Sequence, residues 1–273
     1  MSLRRILAGA YIKLFDPKPK KVQVQLLGRT LTVYSGTITK ADKDDAWFYA
    51  LSKNSTAIFD VGCNVGAASI LASIDNPQRP MVLVDPNPKA LTMASENLNN
   101  NRFGEGKRYV TAFVSDHHGE QVKFYTVGSG AAGSMFGTHA ETAKKLGSHY
   151  QVETTTLDRV VEEAGYTPDL LKIDVEGAES MALKGATKVA ALQKAKFLVE
   201  MHGPKEMPML KNAALVLDWC RQNNYRAWYL SKHVELTDAE QLADRGRCHL
   251  LLLPAREAYP EYLRTIPEGA AVQ

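Results

Sequence analysis

The chain has 273 residues, with 33 lysines and arginines against 30 aspartates and glutamates and a net charge of +3. That balance is too small to imply a nucleic-acid or anionic-membrane partner, and the length fits one α/β domain with additions. The three cysteines, Cys63, Cys220 and Cys248, lie far apart with no CxxC pair, which argues against a zinc site and a disulfide framework and for a reducing, cytoplasmic setting.

At the N-terminus, MSLRRILAGAYIKLF places Arg4, Arg5 and Lys13 on the polar face of an amphipathic helix, expected to pack on its own domain. Lys13 interrupts the apolar run and no small-residue cleavage site follows, so no signal peptide is expected. No apolar run approaches the roughly 20 residues of a bilayer span. After DPKPKK, VQVQLL and LTVYSG alternate around Gly28-Arg29 and predict a hairpin. Residues 43–53, with Trp47, Phe48 and Leu51, predict a helix. Residues 1–55 therefore read as an accessory segment and 56–273 as the main domain.

From Thr56 the chain alternates short apolar strands with helical stretches: TAIFDV, then AASILAS; MVLVD, then PNPKALTMASENLNNN; then YVTAFVS. Strands of this kind belong to a parallel sheet buried on both faces, so the fold class is doubly wound, mostly parallel α/β. QVKFYTV reads as an added antiparallel strand and the glycine-rich GSGAAGSMFG (128–137) as a mobile loop. The sheet is expected to resume with QVETTTL, DLLKID and KFLVEMH, separated by the helices DRVVEEAG and GAESMALKGATKVA. It closes, after helix MLKNAALVLDWCRQNN, on a hairpin of YRAWYL and CHLLLLP.

Ligands of open α/β sheets bind beyond the carboxyl ends of the strands. There the sequence puts Asp60 with the turn Gly62 to Gly66, then Asp85, then Asp174 with Glu176, then Glu200 with His202. A dinucleotide fingerprint needs a second glycine where this chain has Asn64. That weakens a nicotinamide cofactor and leaves room for one that presents a small carboxylate and a sugar, such as S-adenosylmethionine. Asp85 is placed to accept hydrogen bonds from both ribose hydroxyls.

FDVGCNVG, VDPNP, TTTLDRV, LLKIDVEGAE with LKGA, and FLVEMHG, in this order and over about residues 56 to 203, resemble the FkbM family of S-adenosylmethionine-dependent methyltransferases. The resemblance implies a seven-stranded class I methyltransferase sheet of Rossmann-like type. It puts Asp60, Gly62, Asn64 and Gly66 around the methionine part of the cofactor, Asp85 at the ribose, and Ser115 and Asp116 near the adenine.

Methyl transfer needs a nucleophile aligned opposite the sulfonium and water kept out, and an alcohol profits from a general base. Asp174 is the leading candidate, Glu176 stands beside it across Gly177, and His202, alternating with Glu200, is a second candidate base that titrates near neutrality. Glu179 is expected to serve structure through the start of a helix. Asp174, Glu176 and His202 offer oxygen and imidazole ligands, but without a fixed spacing motif no metal is assigned. The loop GSGAAGSMFGTH (128–139) is a candidate closing segment, with Gly128, Gly130 and Gly133 as hinges and Ser134 or His139 as contacts. I-D-V-E after the fourth strand, in place of an N-P-P-aromatic motif, disfavours DNA adenine methylation. The expected activity is O-methylation of a small-molecule or carbohydrate hydroxyl; N-methylation and a non-catalytic cofactor-binding module remain as alternatives.

Overall fold

A computed structural model describes residues 19–38, 44–126, 134 and 148–272. The expected N-terminal helix, and all of the closing segment except Ser134, lie outside the described residues. Strands Lys21–Leu26 (β1) and Arg29–Tyr34 (β2) form the expected hairpin, with Leu26 opposite Arg29. Its turn, Leu27-Gly28, has φ of 48° and 73°, the pair of positive values that a two-residue hairpin favours. Helix Asp45–Lys53 (α1) follows and buries Trp47, Phe48 and Leu51.

The alternation then runs Ile58–Val61 (β3), Ala67–Ser73 (α2), Met81–Asp85 (β4), Pro88–Asn100 (α3) and Lys107–Thr111 (β5). Every residue of β3 and β4 is buried, as strands covered on both faces must be. Helix α3 starts on Asn87, whose side chain accepts from the Lys89 and Ala90 amides, with Pro88 at the first helical position. Asn97 in the helix and Asn101 at its C-cap tie down the hairpin: Asn97 Oδ1 accepts from Tyr34 N at 2.8 Å, and Asn101 Oδ1 from Thr32 N at 2.8 Å.

The second half contains Phe113–Val114 (β6), Gln121–Tyr125 (β7), His149–Thr155 (β8), Leu157–Ala164 (α4), Leu170–Ile173 (β9), Glu179–Lys184 (α5) and Thr187–Ala191 (α6). Lys196–His202 (β10), Met209–Asn223 (α7), Tyr225–Tyr229 (β11), Val234–Glu235 (β12) and Arg247–Pro254 (β13) complete it. The main sheet has the order β12-β11-β13-β10-β9-β3-β4-β5. Strands β10, β9, β3, β4 and β5 are parallel, and β13 lies antiparallel between β10 and β11. Chain order reverses between β3 and β9, so the crevice beyond their carboxyl ends is the place this topology offers a ligand.

Three expectations are corrected. YVTAFVS is not one strand: β5 stays in the main sheet, whereas β6 leaves it. QVETTTL does not resume that sheet; β8 pairs with β6 and β7 in a separate three-stranded sheet. The physical reason is visible in burial, because β7 and β8 alternate between exposed and covered residues, the mark of strands with one face in solvent. GAESMALKGATKVA is two helices, broken at Gly185, where an added Cβ would lie 2.2 Å from the Ser115 carbonyl oxygen. The eighth strand of the main sheet is the two-residue edge β12.

Candidate active site

The turn after β3 is shaped by what lies behind it. Gly62 has a φ of 81°, and a Cβ there would sit 1.8 Å from the Asp174 carbonyl oxygen, so only glycine lets this turn meet the segment after β9. Its amide and that of Cys63 donate to Val84 O at 2.8 and 3.1 Å. Asn64, at φ 48°, is held in the left-handed region that side chains disfavour. Its amide donates to Asp85 Oδ2 at 2.8 Å, and Asn87 N donates to Oδ1 at 2.7 Å. Burial raises the Asp85 carboxyl and the two amides pull it part of the way back, to about 6. Gly62, Asn64, Val84, Asp85 and Asn87, with Ala90, Phe113, Val114, Phe124, Asp174 and Glu176, line a cleft.

The other residues singled out in the sequence stand apart from this wall. Gly66 begins α2 where a Cβ would approach Ala94 Cβ to 2.9 Å, so it permits two helices to meet. Asp60 is buried and accepts from Ser69 Oγ at 2.6 Å; it faces a neighbouring cleft. Ser115 is buried, and its hydroxyl donates to the exposed Asp116, which also pairs with His117 Nδ1 at 2.7 Å. Phe113, Val114 and Phe124, not this pair, line that side of the cleft.

Asp174 stands at a junction. With Gly62 and Asn64 it belongs both to the first cleft and to a second, more open one, walled by Leu26 of the hairpin, by Ile38 after it and by Asp44, Asp60, Lys172 and Glu200. Lys172 Nζ lies 3.2 Å from Asp174 Oδ2, 3.5 Å from Asp44 Oδ2 and 3.9 Å from Glu200 Oε2. Burial opposes the ammonium, but the carboxylates of Asp174, Asp44 and Glu200 outweigh it and hold the lysine charged. Burial drives the Asp174 carboxyl up; Lys172 lowers it and Glu200 raises it again, and the result is about 8. Glu176, at φ 53° beside Gly177 at φ 103°, makes the turn after β9 a strained one.

His202 differs from the expectation. It is buried, with Nδ1 3.0 Å from Glu179 Oε1 and Nε2 3.5 Å from both Glu176 Oε2 and Glu200 Oε1. Burial opposes the charged ring, but the hydrogen bond to Glu179 and the nearby Glu200 carboxylate win and raise it to about 11. It is an imidazolium at neutral pH, a donor with no free lone pair, and it does not line either cleft. Glu179 has the structural place expected of it: fully buried, it accepts from Gly177 N, His202 Nδ1 and Asn212 Nδ2. Lys172, Asp44 and His249 were not singled out in the sequence. Lys172 left a trace, a charge two residues before Asp174 inside the apolar DLLKID and hence on the same face. Asp44, among the polar residues of ADKDDAW, left none.

A family model described as the methyltransferase FkbM domain matches residues 60–227, more than half of the chain. The chain belongs to the FkbM methyltransferase family. Residues 60–227 thus carry a methyltransferase FkbM domain. Similar solved structures include methyltransferase FkbM from Methylobacillus flagellatus KT, at 14% identity and a TM-score of 0.46 over 73% of this chain and 44% of that one. A SAM-dependent methyltransferase from Agrobacterium tumefaciens matches at 10% identity and a TM-score of 0.46, over 86% of this chain and 70% of that one. TYW2 of M. jannaschii in complex with AdoMet matches at 10% and 0.42, over 86% of this chain and 85% of that one. This chain thus spans less than half the length of the Methylobacillus protein. A comparison with curated proteins finds no match.

The lining of the first cleft suits S-adenosylmethionine, the cofactor the sequence resemblance implies: it pairs a carboxylate, Asp85, with an apolar end at Phe113, Val114 and Phe124. Asn64 also lines this cleft, and its Oδ1 is buried without a hydrogen-bond partner, an acceptor that a donor on the ligand would satisfy. Among the described residues no helix is long and apolar enough to cross a membrane.

Proposed function

We propose that this FkbM methyltransferase methylates a hydroxyl of a small-molecule or carbohydrate acceptor, with Asp174 as the general base. The observation that carries the reading is the position of Asp174 between the two clefts, with a carboxyl raised to about 8, in the range a base working near neutrality needs. Asp85 accepts from the ribose hydroxyls, Gly62 and Asn64 face the amino-acid end, and Phe113, Val114 and Phe124 pack on the adenine. S-adenosylmethionine supplies an electrophilic methyl on a sulfonium. The chain's part is to admit the acceptor through the second cleft, which the accessory segment 1–55 shapes, and to hold its oxygen in line with that methyl. Asp174 then takes the hydroxyl proton at its carboxylate, and Lys172 steadies the carboxylate before the transfer. Cys63, Cys220 and Cys248 are free and buried, which supports a reducing, cytoplasmic setting.

The test is methyl transfer from radiolabelled cofactor to a panel of hydroxyl acceptors, as a function of pH. kcat/KM should rise through about pH 8, and Asp174→Asn should lower kcat by about 10²–10⁴-fold while S-adenosylhomocysteine binds unchanged. An Asp174→Asn variant of full activity would refute the role. One observation favours a second reading: Asp44, Asp45, Asp60, Asp174 and Glu200 line the second cleft with Lys172, a surplus of acid suited to a cationic amine. An amine acceptor methylated equally well by Asp174→Asn would select N-methylation.

A further inference from the structure

At the floor of the second cleft, away from the cofactor cleft, three side chains from distant parts of the chain converge: Asp44 before α1, Glu200 on β10 and His249 on β13. All three are more than nine-tenths buried. One ligand-type atom of each can be chosen so that all lie within 4.8 Å of one another. His249 Nε2 is 3.5 Å from Glu200 Oε2 and 3.9 Å from Asp44 Oδ1. Those spacings are too long for hydrogen bonds, and neither ring nitrogen of His249 makes one. Asp44 Oδ2 makes none either. A buried imidazole left in this state calls for a partner, while Asp44 Oδ2 has the Lys172 ammonium at 3.5 Å.

We propose that Asp44, Glu200 and His249 form a binding site for a divalent first-row transition ion. Two donors that each lie about 2.1 Å from one ion stand at most about 4.2 Å apart. Both His249 distances meet that limit, and the Asp44–Glu200 pair reaches it with a small shift. One imidazole with two carboxylates suits Mn2+, Fe2+ or Zn2+ better than Mg2+ or Ca2+, which prefer oxygen alone. Glu200 Oε2 is available because its other oxygen is taken by Arg247 Nη1 at 2.9 Å. Asp44 and Glu200 line the second cleft, which gives the ion an entry path and directs its remaining coordination positions toward that opening.

Two features set the strength of the site. The Lys172 ammonium, 3.5 Å from Asp44 Oδ2 and 3.9 Å from Glu200 Oε2, competes for the same oxygens. The second nitrogen of His249 has no acceptor to orient the ring, which the tightest metal sites provide. The ion is therefore held weakly and exchanges with solvent. The alternative group of Asp174, Glu200 and His202 is a poorer cage, because His202 is kept protonated by Glu179 and Glu200.

The inference goes beyond methyl transfer and does not rest on it, because its readout is binding. The full chain, stripped with chelator, is titrated with MnCl2 by calorimetry and by loss of the free-Mn2+ electron paramagnetic resonance signal. One equivalent is expected. Asp44→Asn and His249→Phe, each checked as folded by circular dichroism, should bind at least about tenfold more weakly, and Lys172→Met at least about tenfold more tightly, since a buried unit charge so close to the ion is felt strongly. No uptake by the folded protein, uptake unchanged in both ligand variants, or no gain in Lys172→Met would overturn the proposal. So would a loss confined to Asp174→Asn, which would place the ion elsewhere.

Discussion

Glu179→Gln tests whether the charges behind the site are worth what their burial suggests. Glu179 is fully buried, and its carboxylate accepts from Gly177 N at 2.9 Å, His202 Nδ1 at 3.0 Å and Asn212 Nδ2 at 2.7 Å. Glutamine has the same shape but one acceptor oxygen, so its amide nitrogen must face at least one of these donors, and buried His202 loses its nearest countercharge. Breaking one side of a buried ion pair costs about 3–5 kcal/mol. At about 2–4 °C per kcal/mol for a domain of this size, the melting temperature falls by on the order of 10 °C. The pH dependence gives a sharper reading. Burial opposes the His202 charge, the bond to Glu179 and the nearby Glu200 carboxylate outweigh it, and the ring stands at about 11 in the fold against about 6.5 unfolded. A raised pKa means a contribution fully present below about pH 6.5 and lost as pH climbs through about 11. The difference in unfolding free energy between wild type and Glu179→Gln, from urea denaturation, should thus be full at pH 6 and shrink steadily toward pH 10. A difference under about 1 kcal/mol at pH 6, less than a single cap contributes, or one that ignores pH, would refute the reasoning.

Three further outcomes follow from the cleft. Asp85, at about 6 before the cofactor binds, accepts ribose hydroxyls only when ionised, so S-adenosylhomocysteine affinity should be level above about pH 6 and fall about tenfold per unit below it; calorimetry in buffers of different ionisation enthalpy would detect the proton released near pH 6. Gly62→Ala must relieve a Cβ placed 1.8 Å from Asp174 O at a φ of 81°, and overpacking with left-handed strain should cost about 3 kcal/mol or more, read as a shifted urea midpoint together with loss of cofactor binding. Asn87→Ala removes the side-chain cap of α3 and should cost about 1 kcal/mol by the same denaturation, with Asp85 still held by the backbone amide of residue 87.

What could be read from the sequence was what lies close along the chain. The β3 turn, the Asp85 strand end and the DLLKID strand end each sit inside one short segment, and strand alternation places such ends on one side of a sheet. The hairpin was equally local. Strand membership was not: QVETTTL has strand character in either sheet, and only burial on one face or two decides where it pairs. His202 shows the same limit in chemistry. Its position on the strand was legible, but its charge state depends on Glu179, 23 residues earlier, together with its strand neighbour Glu200, and no spacing rule brings Glu179 to the ring. Asp44 and His249 are further still, joined only when α1 packs across β13 and brings Trp47 to 5.8 Å from His249.

The buried charges then decide which carboxylate acts. Glu200 is pushed up by burial, but His202, His249 and Lys172 outweigh this and hold it well below the usual carboxylate range; Arg247 adds a bond at 2.9 Å. Asp174 has one cation, Lys172, within ion-pair distance among the described residues, and it faces Glu200 and Glu176, which raise it further. Of these two carboxyls, Asp174 is the one that takes up a proton as the pH falls, while Glu200 stays ionised. Asp174 is also the member of the set that lines both clefts. The basic groups arrayed on Glu200 thus act at a distance: by fixing one carboxylate as permanently ionised, they leave its neighbour as the group that gains and loses a proton near neutrality, where an acceptor hydroxyl would meet it.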